Sequence, residues 1–219
     1  DPPAIVPVKG FTIREDGTTN LVIMVTDRDS PIANVVVTAT SSDPSAIANP
    51  IEVIGTGTNR TIVLAPLTNA NGSTVIALTA TDNQSATGTN ALNLVVTAVN
   101  DAPSFTLLAA DLILPDSSPV TIPGFATNIR AGGPDEAGQT LTFVLTPTPT
   151  TFFAANGAPK LSSNGTLTFQ AATNASGSAD VCVVLKDSGG TGNGGVNQSA
   201  PQCLTITRGT GVAPALAAL

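Results

Sequence analysis

The sequence predicts an all-β chain made of two tandem β-sandwich domains, and three observations lead to this prediction. Aliphatic residues and turn-forming Thr, Asn, Gly and Pro are abundant, whereas charged residues make up only 11% of the 219 residues, which is a strand-and-turn composition. Short β-branched segments alternate with turn signals. The second half of the chain repeats the first. We therefore predict domains at 1–101 and 102–208, followed by a flexible tail at 209–219.

The first domain is predicted to contain seven short strands, and no stretch shows a convincing helical period. Several strands alternate in polarity. In one of them Ile62 and Leu64 point to one face and Thr61 and Val63 to the other. Seven strands within about 100 residues are typical of a sandwich. The predicted strands are Lys9–Arg14, Leu21–Thr26, Asn34–Thr40, Ile51–Ile54, Asn59–Ala65, Ser73–Thr81 and Asn90–Val99.

The second domain repeats this plan at a fixed offset of 105 residues. Asn69–Ser73 corresponds to Asn174–Ser178, and Thr61–Leu64 corresponds to Thr166–Phe169. The same offset aligns Asp82 with Asp187. Because one offset aligns several elements without a gap, the chain is interpreted as a tandem duplication.

The two cysteines, Cys182 and Cys203, are expected to form a disulfide across a hairpin of the second domain. Val181–Lys186 and Pro201–Thr207 are predicted strands joined by a Gly-rich loop, and antiparallel pairing about the loop centre puts the two cysteines opposite each other. Directly opposed residues lie within disulfide reach when the pair is not hydrogen-bonded. The alternative is two buried free thiols. A disulfide would indicate an oxidising compartment.

The composition argues against several classes of function. A net charge of −7 disfavours nucleic acid as a partner, since a phosphate backbone requires Lys and Arg. Histidine is absent, which removes the commonest general base and transition-metal ligand. The acidic residues lie at turns and no cleft is implied, so we expect no enzyme activity. No apolar run is long enough for a membrane span.

The segment Val99-Asn100-Asp101-Ala102-Pro103 is predicted to join the two domains. Pro103 cannot donate to a strand ladder and restricts the residue before it. This segment resembles the linker signature of bacterial cadherin-like and immunoglobulin-like tandem repeats. Asp27-Arg28-Asp29 resembles the Asp-x-Asp element that follows a strand in cadherins, and Asp82 and Asp187 match the cadherin Asp at the start of a later loop. Ala137–Phe143 and Lys186–Gln202 also resemble a bacterial surface repeat.

The resemblance implies two immunoglobulin-like (cadherin-like) sandwiches with calcium as the cofactor. The acidic motif that cadherins carry before the later strand is replaced here by Asn69 and Asn71, and Ala98 stands where an acidic residue is frequent. The ligands implied at the central joint are Glu15, Asn100, Asp101, Asp135, Glu136 and Asp187. Those implied at the far end of the first domain are Asp27, Asp29 and Asp82.

The function implied is that of a structural or adhesion repeat in a bacterial cell-surface or secreted protein, acting as a spacer or stalk that calcium at the joint between the domains would stiffen. Its partners would be neighbouring repeats of the same polypeptide, with a host or cell-surface protein or a glycan as a further candidate. The location would be extracellular. The alternative is a carbohydrate-binding accessory module of a secreted enzyme. Such modules commonly stack sugars on exposed Trp or Tyr, and the chain has neither. Phe152-Phe153 is the one candidate for an exposed aromatic pair, and a position in the core is the favoured interpretation for it.

Overall fold

The computed structural model describes residues 1–209 and shows an all-β chain, which confirms the predicted fold class. Contacts divide the chain into two compact units, Asp1–Val99 and Asn100–Leu219. The predicted tail lies outside the described residues, apart from Gly209. No helix in the described part of the chain is long and apolar enough to cross a membrane. The helical segments found there are single 3₁₀ turns at Ile32–Asn34, Pro134–Glu136, Thr150–Phe152 and Gly192–Gly194.

Unit 1 consists of two four-stranded sheets. One sheet has the order β1-β3-β6-β5, formed by β1 (Ala4–Ile5), β3 (Thr19–Thr26), β6 (Asn59–Leu64) and β5 (Val53–Ile54). The other has the order β2-β8-β7-β4, formed by β2 (Phe11–Arg14), β8 (Thr87–Thr97), β7 (Gly72–Thr81) and β4 (Val36–Ser41).

The N-terminal segment of unit 1 contributes to both sheets, which the sequence did not predict. β1 pairs antiparallel with β3, whereas β2 pairs parallel with β8. Pro7 separates the two strands, and a proline cannot donate to either ladder. The predicted strand at Lys9–Arg14 therefore corresponds to β2, while β1 was hidden in a Pro-rich stretch that gave no strand signal.

The core of unit 1 is aliphatic and follows the two-residue period of its strands. In β6, Ile62 and Leu64 are fully buried, and in β7, Ile76 and Leu78 are buried with them. Phe11, the one aromatic residue of this unit, packs only partly buried against the cluster. The alternation places Arg60 on the same inward face of β6, where it is buried among apolar side chains.

Unit 2 is built from three sheets. The largest has the order β10-β17-β16-β13, formed by β10 (Asp111–Leu114), β17 (Gln202–Arg208), β16 (Gly177–Lys186) and β13 (Thr142–Thr148). A second contains β11 (Val120–Ile122), β15 (Leu167–Phe169) and β14 (Lys160–Leu161). The third pairs β12 (Ala126–Arg130) with β9 (Ser104–Leu107).

The duplication is visible in the strands. β7 and β16 begin and end at the same offset of 105 residues, and both bury every second residue along most of their length. The parallel pairing of β2 with β8 also has a counterpart, since β10 pairs parallel with β17. The core of unit 2 differs in being aromatic, because six of the seven phenylalanines lie there. Phe152 and Phe153 are buried members of this core, so they form no exposed aromatic pair.

The predicted disulfide between Cys182 and Cys203 is present. The two residues are directly opposed in the β16–β17 pair, with Cα atoms 4.0 Å apart. Their neighbours Val181 and Leu204 are buried, so by strand alternation the cysteines point to the outer face of the sheet. The bridge therefore ties the hairpin from outside without contributing to the apolar core.

Reduction should lower the unfolding free energy of unit 2 by about 3 kcal/mol while leaving it folded, because the bridge closes a 21-residue separation but lies outside the core. Urea unfolding with and without reductant measures the change. The double variant Cys182→Ser/Cys203→Ser is the control and should not respond to reductant. Full alkylation of both cysteines without prior reduction would contradict the bridge.

Candidate functional site

Three carboxylates converge in unit 1. Each of Asp27, Asp29 and Asp82 offers one carboxylate oxygen, and the three oxygens lie within 4.8 Å of one another. Asp27 and Asp29 follow the end of β3, and Asp82 follows β7. These are the residues that the resemblance implied for the far end of the first domain. We refer to them as the acidic cluster.

We call the turn after β3, which carries Asp27 and Asp29, the first arm of the acidic cluster. Backbone N–H groups hold it in place by hydrogen bonds to Asp27. Asp27 Oδ1 accepts hydrogen bonds from the backbone N–H of Asp29 at 3.0 Å and of Ser30 at 2.8 Å. Donation from the Ser30 N–H is the main cause that lowers the pKa of Asp27 below its ordinary value, and the Asp29 N–H adds to it. Ser30 Oγ donates to Asn83 Oδ1 at 3.1 Å, which joins this turn to the loop after β7.

Asp82 is the buried member of the acidic cluster, with 6% of its surface exposed. Its Oδ1 accepts the backbone N–H groups of Gln84 and Ala86, each at 2.8 Å. This Asx-type turn uses one carboxylate oxygen and leaves the other directed elsewhere. The turn therefore explains the position of Asp82 Oδ1 but not that of Oδ2.

The second oxygens of the acidic cluster lack protein partners. Asp27 Oδ2 and Asp82 Oδ2 are both buried, and neither has a hydrogen-bond partner among residues 1–209. A buried carboxylate oxygen without a partner carries a desolvation cost. Calcium is coordinated by 6–8 oxygens, including carboxylates, carbonyls and waters. The residues present fit such an ion, because the donor set is purely oxygen and carries up to three negative charges.

Asp29, the exposed member of the acidic cluster, already interacts with a cationic group. The α-amino group of Asp1 donates to Asp29 Oδ2. This hydrogen bond is the main cause that raises the pKa of the amino group, and the charges of the three carboxylates act in the same direction. Independently of this contact, three carboxylates with oxygens within 4.8 Å of one another attract positive charge, because each repels the others.

Arg60 is a buried residue of unit 1 that the sequence reasoning did not single out, and it contacts the loop that continues from the turn of Asp27 and Asp29. Its exposed fraction is 2%, and burial lowers its pKa. Nη2 donates to the carbonyl oxygens of Ile32 at 3.0 Å and Val35 at 3.2 Å. These carbonyls belong to the first residue of the 3₁₀ turn Ile32–Asn34 and to the residue that caps its end, so Arg60 fixes the later part of that loop. The alternation of Ile62 and Leu64 already placed Arg60 on the inward face, and this was the available signal.

Glu15 was predicted as a ligand at the central joint, and in unit 1 it is buried at the end of β2. Its Oε1 accepts the backbone N–H of Val99 at 2.7 Å, and its own N–H donates to the carbonyl of Thr97. Glu15 thus ties the end of β2 to the segment that follows β8.

The other residues predicted at the central joint belong to unit 2, where the structure pairs several of them directly. Asn100 contacts Asp187, and Asp101 contacts Glu136. Asp135 is exposed in the 3₁₀ turn. Within the described part of unit 2, no three acidic side chains bring carboxylate oxygens within 4.8 Å of one another. Gln139, which was not among the residues predicted at the central joint, donates a hydrogen bond to Asn100.

Comparison with solved structures shows a cadherin-like fold. Human protocadherin-24 EC1-2 matches with a TM-score of 0.59 at 16% identity, over 95% of this chain and 99% of that chain. Human mucin-like protocadherin EC1-2 matches with a TM-score of 0.51 at 14% identity, over 94% and 97%. Drosophila N-cadherin EC1-4 matches with a TM-score of 0.51 at 14% identity, over 96% of this chain and 50% of that chain.

No protein-family model matches the chain, and a search of curated proteins gives no match. At identities this low, the structural similarity shows the fold alone. The prediction of two immunoglobulin-like, cadherin-like sandwiches is thereby confirmed.

The titration of Asp27 tests the hydrogen bonds of the first arm. Because its pKa is lower in the folded state than the unfolded value of about 3.9, its contribution to stability is complete above that value. The contribution is lost as the pH falls through the folded pKa. In chelator, an NMR titration should therefore give an Asp27 midpoint below about 3.9, and Asp27→Asn should lose less stability than the parent on acidification. A midpoint above this value would contradict the geometry.

Proposed function

We propose that this chain is a calcium-binding structural or adhesion module of an extracellular protein, acting as a spacer built from tandem sandwiches. The observation that carries the calcium assignment is the acidic cluster with its two buried oxygens that lack protein partners. The cadherin-like fold supports a repeat module, and the Cys182–Cys203 bridge supports an oxidising, extracellular location. The bacterial surface assignment rests on the sequence motifs alone.

Calcium would act on unit 1 by relieving repulsion between carboxylates of two different loops. Asp27 and Asp29 belong to the turn after β3, whereas Asp82 begins the turn after β7. Like charges gathered at this distance repel one another, and a dication removes that repulsion. The bound ion would therefore join two loops that are otherwise linked by the Ser30–Asn83 hydrogen bond. Hard oxygen ligands, in a chain without histidine, favour calcium over zinc.

The proposed role is one of spacing and binding rather than catalysis. Catalysis by a general base would have to proceed without histidine. The acidic residues that are buried serve local backbone contacts, as shown by Glu15 with Val99 and by Asp82 with Gln84 and Ala86. Adhesion to a protein partner or to neighbouring repeats fits such a module. A surface protein or a glycan remains the candidate for a more distant partner.

Calcium should bind the acidic cluster with a Kd on the order of 10⁻⁴–10⁻³ M, as is usual for extracellular modules. At a concentration tenfold above the Kd, unit 1 should gain about 1.4 kcal/mol in unfolding free energy. Isothermal titration calorimetry and thermal melting measure the two quantities. Asp82→Asn keeps the shape of the side chain but removes its charge, and it should abolish both effects.

The matched control for the calcium experiment is Glu52→Gln, which removes one exposed negative charge from the same unit. This variant should bind calcium like the parent. Equal loss of binding in both variants would indicate a non-specific charge effect. Identical melting curves of the parent in calcium and in chelator would refute the calcium proposal.

A glycan array separates the spacer function from the carbohydrate-binding alternative. Because Phe152 and Phe153 are buried in the core of unit 2, the chain offers no exposed aromatic pair there on which a sugar ring could stack. We expect no binding to any sugar class at micromolar protein concentrations. Saturable binding to a single class, abolished by substitution of a surface residue, would favour the alternative.

A further inference from the structure

The first two residues of unit 2, Asn100 and Asp101, are held against two loops of the same unit by hydrogen bonds. The Asn100 carboxamide takes part in three of them. Nδ2 donates to Asp187 Oδ1 at 3.1 Å and to the carbonyl of Val196 at 2.7 Å, and Oδ1 accepts from Gln139 Nε2 at 2.7 Å. One side chain thus connects the loop before β13 with the Gly-rich loop between β16 and β17, which it contacts at both of its ends.

The Gly-rich loop is shaped to receive this carboxamide. A Cβ atom at Gly189 would overlap Asn100 Oδ1, and one at Gly195 would lie 2.9 Å from Asn100 Cβ. Gly195 is buried, and the next N–H, that of Val196, donates to the Asn100 carbonyl at 2.8 Å. Asn100 and Val196 therefore exchange two hydrogen bonds, one through the backbone of Asn100 and one through its side chain.

Asp101 is also held by a hydrogen bond, in this case from its backbone to a buried side chain of unit 2. Its backbone N–H donates to Glu136 Oε1 at 2.8 Å, while Glu136 Oε2 accepts the N–H of Gly133 at 3.0 Å. Glu136 is buried, with 6% of its surface exposed. Both oxygens of this carboxylate are therefore engaged by protein donors, and charge-assisted hydrogen bonds of this type are strong.

These contacts do not fit the calcium role that the resemblance implied for Asn100, Asp101, Glu136 and Asp187. An amide N–H₂ group, which is a donor, points at Asp187, and Asp187 Oδ1 also accepts the N–H of Gly189 at 2.9 Å. The buried oxygens left without a hydrogen-bond partner here, within the described residues, are Asp187 Oδ2 and Gln139 Oε1. One of these oxygens belongs to a neutral amide, and in the described part of unit 2 no three acidic side chains converge as they do in the acidic cluster of unit 1. The negative charge that would attract a dication is therefore not gathered here.

We propose that Asn100, together with Gln139 and Asp187, forms an ion-independent clamp that fixes the start of unit 2 and orders the Gly-rich loop at residues 188–197. The Asn100 carboxamide links two loops by hydrogen bonds, as a cation would link them by coordination, since it donates to Asp187 and Val196 in the loop after β16 and accepts from Gln139 in the loop before β13. The clamp uses both the donor and the acceptor end of the amide. It goes beyond the calcium proposal, which concerns only the acidic cluster of unit 1.

Hydrogen exchange followed by NMR on the full chain tests the clamp. In the parent, the Val196 and Gly189 amides should show the same protection in about 5 mM calcium, a saturating concentration for extracellular sites, and in chelator. Asn100→Ala and Gly189→Ala should each speed exchange of the Val196 amide by about tenfold or more, because several coupled hydrogen bonds are lost. Asn100→Asp, measured in chelator, should do the same, since it replaces the donor with a second carboxylate facing Asp187.

The matched control is Gly192→Ala, in the same loop, where an added Cβ meets nothing within 4 Å. Its exchange should equal that of the parent. Amides of β16 report whether unit 2 remains folded in each variant. If a variant unfolds the unit, the protection of the Val196 amide in the parent, compared between calcium and chelator, still tests whether the clamp is independent of ions. Loss of Val196 protection in chelator would overturn the clamp, and so would full protection in a folded Asn100→Ala or Asn100→Asp variant.

Discussion

Buried carboxylates that accept backbone N–H groups hold the loop ends of both units. Glu15 accepts from Val99 and Glu136 from Asp101 and Gly133, while Asp82 and Asp187 each accept from the turn that follows them. Loops that leave a sheet carry N–H groups with no ladder partner, and leaving such groups buried and unpaired is costly. A short acidic side chain meets this need while keeping its negative charge near the partial positive charge of the donors.

The strand plan could be predicted from the sequence because the inward and outward faces of strands such as β6, β7 and β16 differ in polarity. The 105-residue offset then transferred the interpretation from one half of the chain to the other. The offset could not predict the small strand β1, whose formation depends on pairing with β3 rather than on its own residues. Nor could it predict the aromatic core of unit 2, because the two halves share their period but not their residue sizes.

The acidic residues were harder to interpret, because a turn and a metal site use the same side chains. The sequence grouped Asp27, Asp29 and Asp82, and the structure brings their oxygens within 4.8 Å of one another. Glu136 and Asp82 were both implied as calcium ligands by the resemblance, yet both oxygens of Glu136 accept N–H groups whereas Asp82 Oδ2 accepts none among the described residues. That difference depends on which loops lie nearby in three dimensions. Asn100 illustrates the same limit, since its role requires glycines at positions 189 and 195 that sequence periodicity does not connect to it.

The outer-face position of the Cys182–Cys203 bridge has a mechanical consequence. When a chain is pulled by its two ends, each unfolding unit lengthens by the contour of the residues it releases. Here the covalent bridge carries the load past the 21-residue separation between the cysteines, which withholds roughly 70 Å of extended chain. Unit 2 would therefore yield a shorter extension step than a unit of equal length without a cross-link. The Gly-rich loop would remain slack while the rest of the unit is under tension.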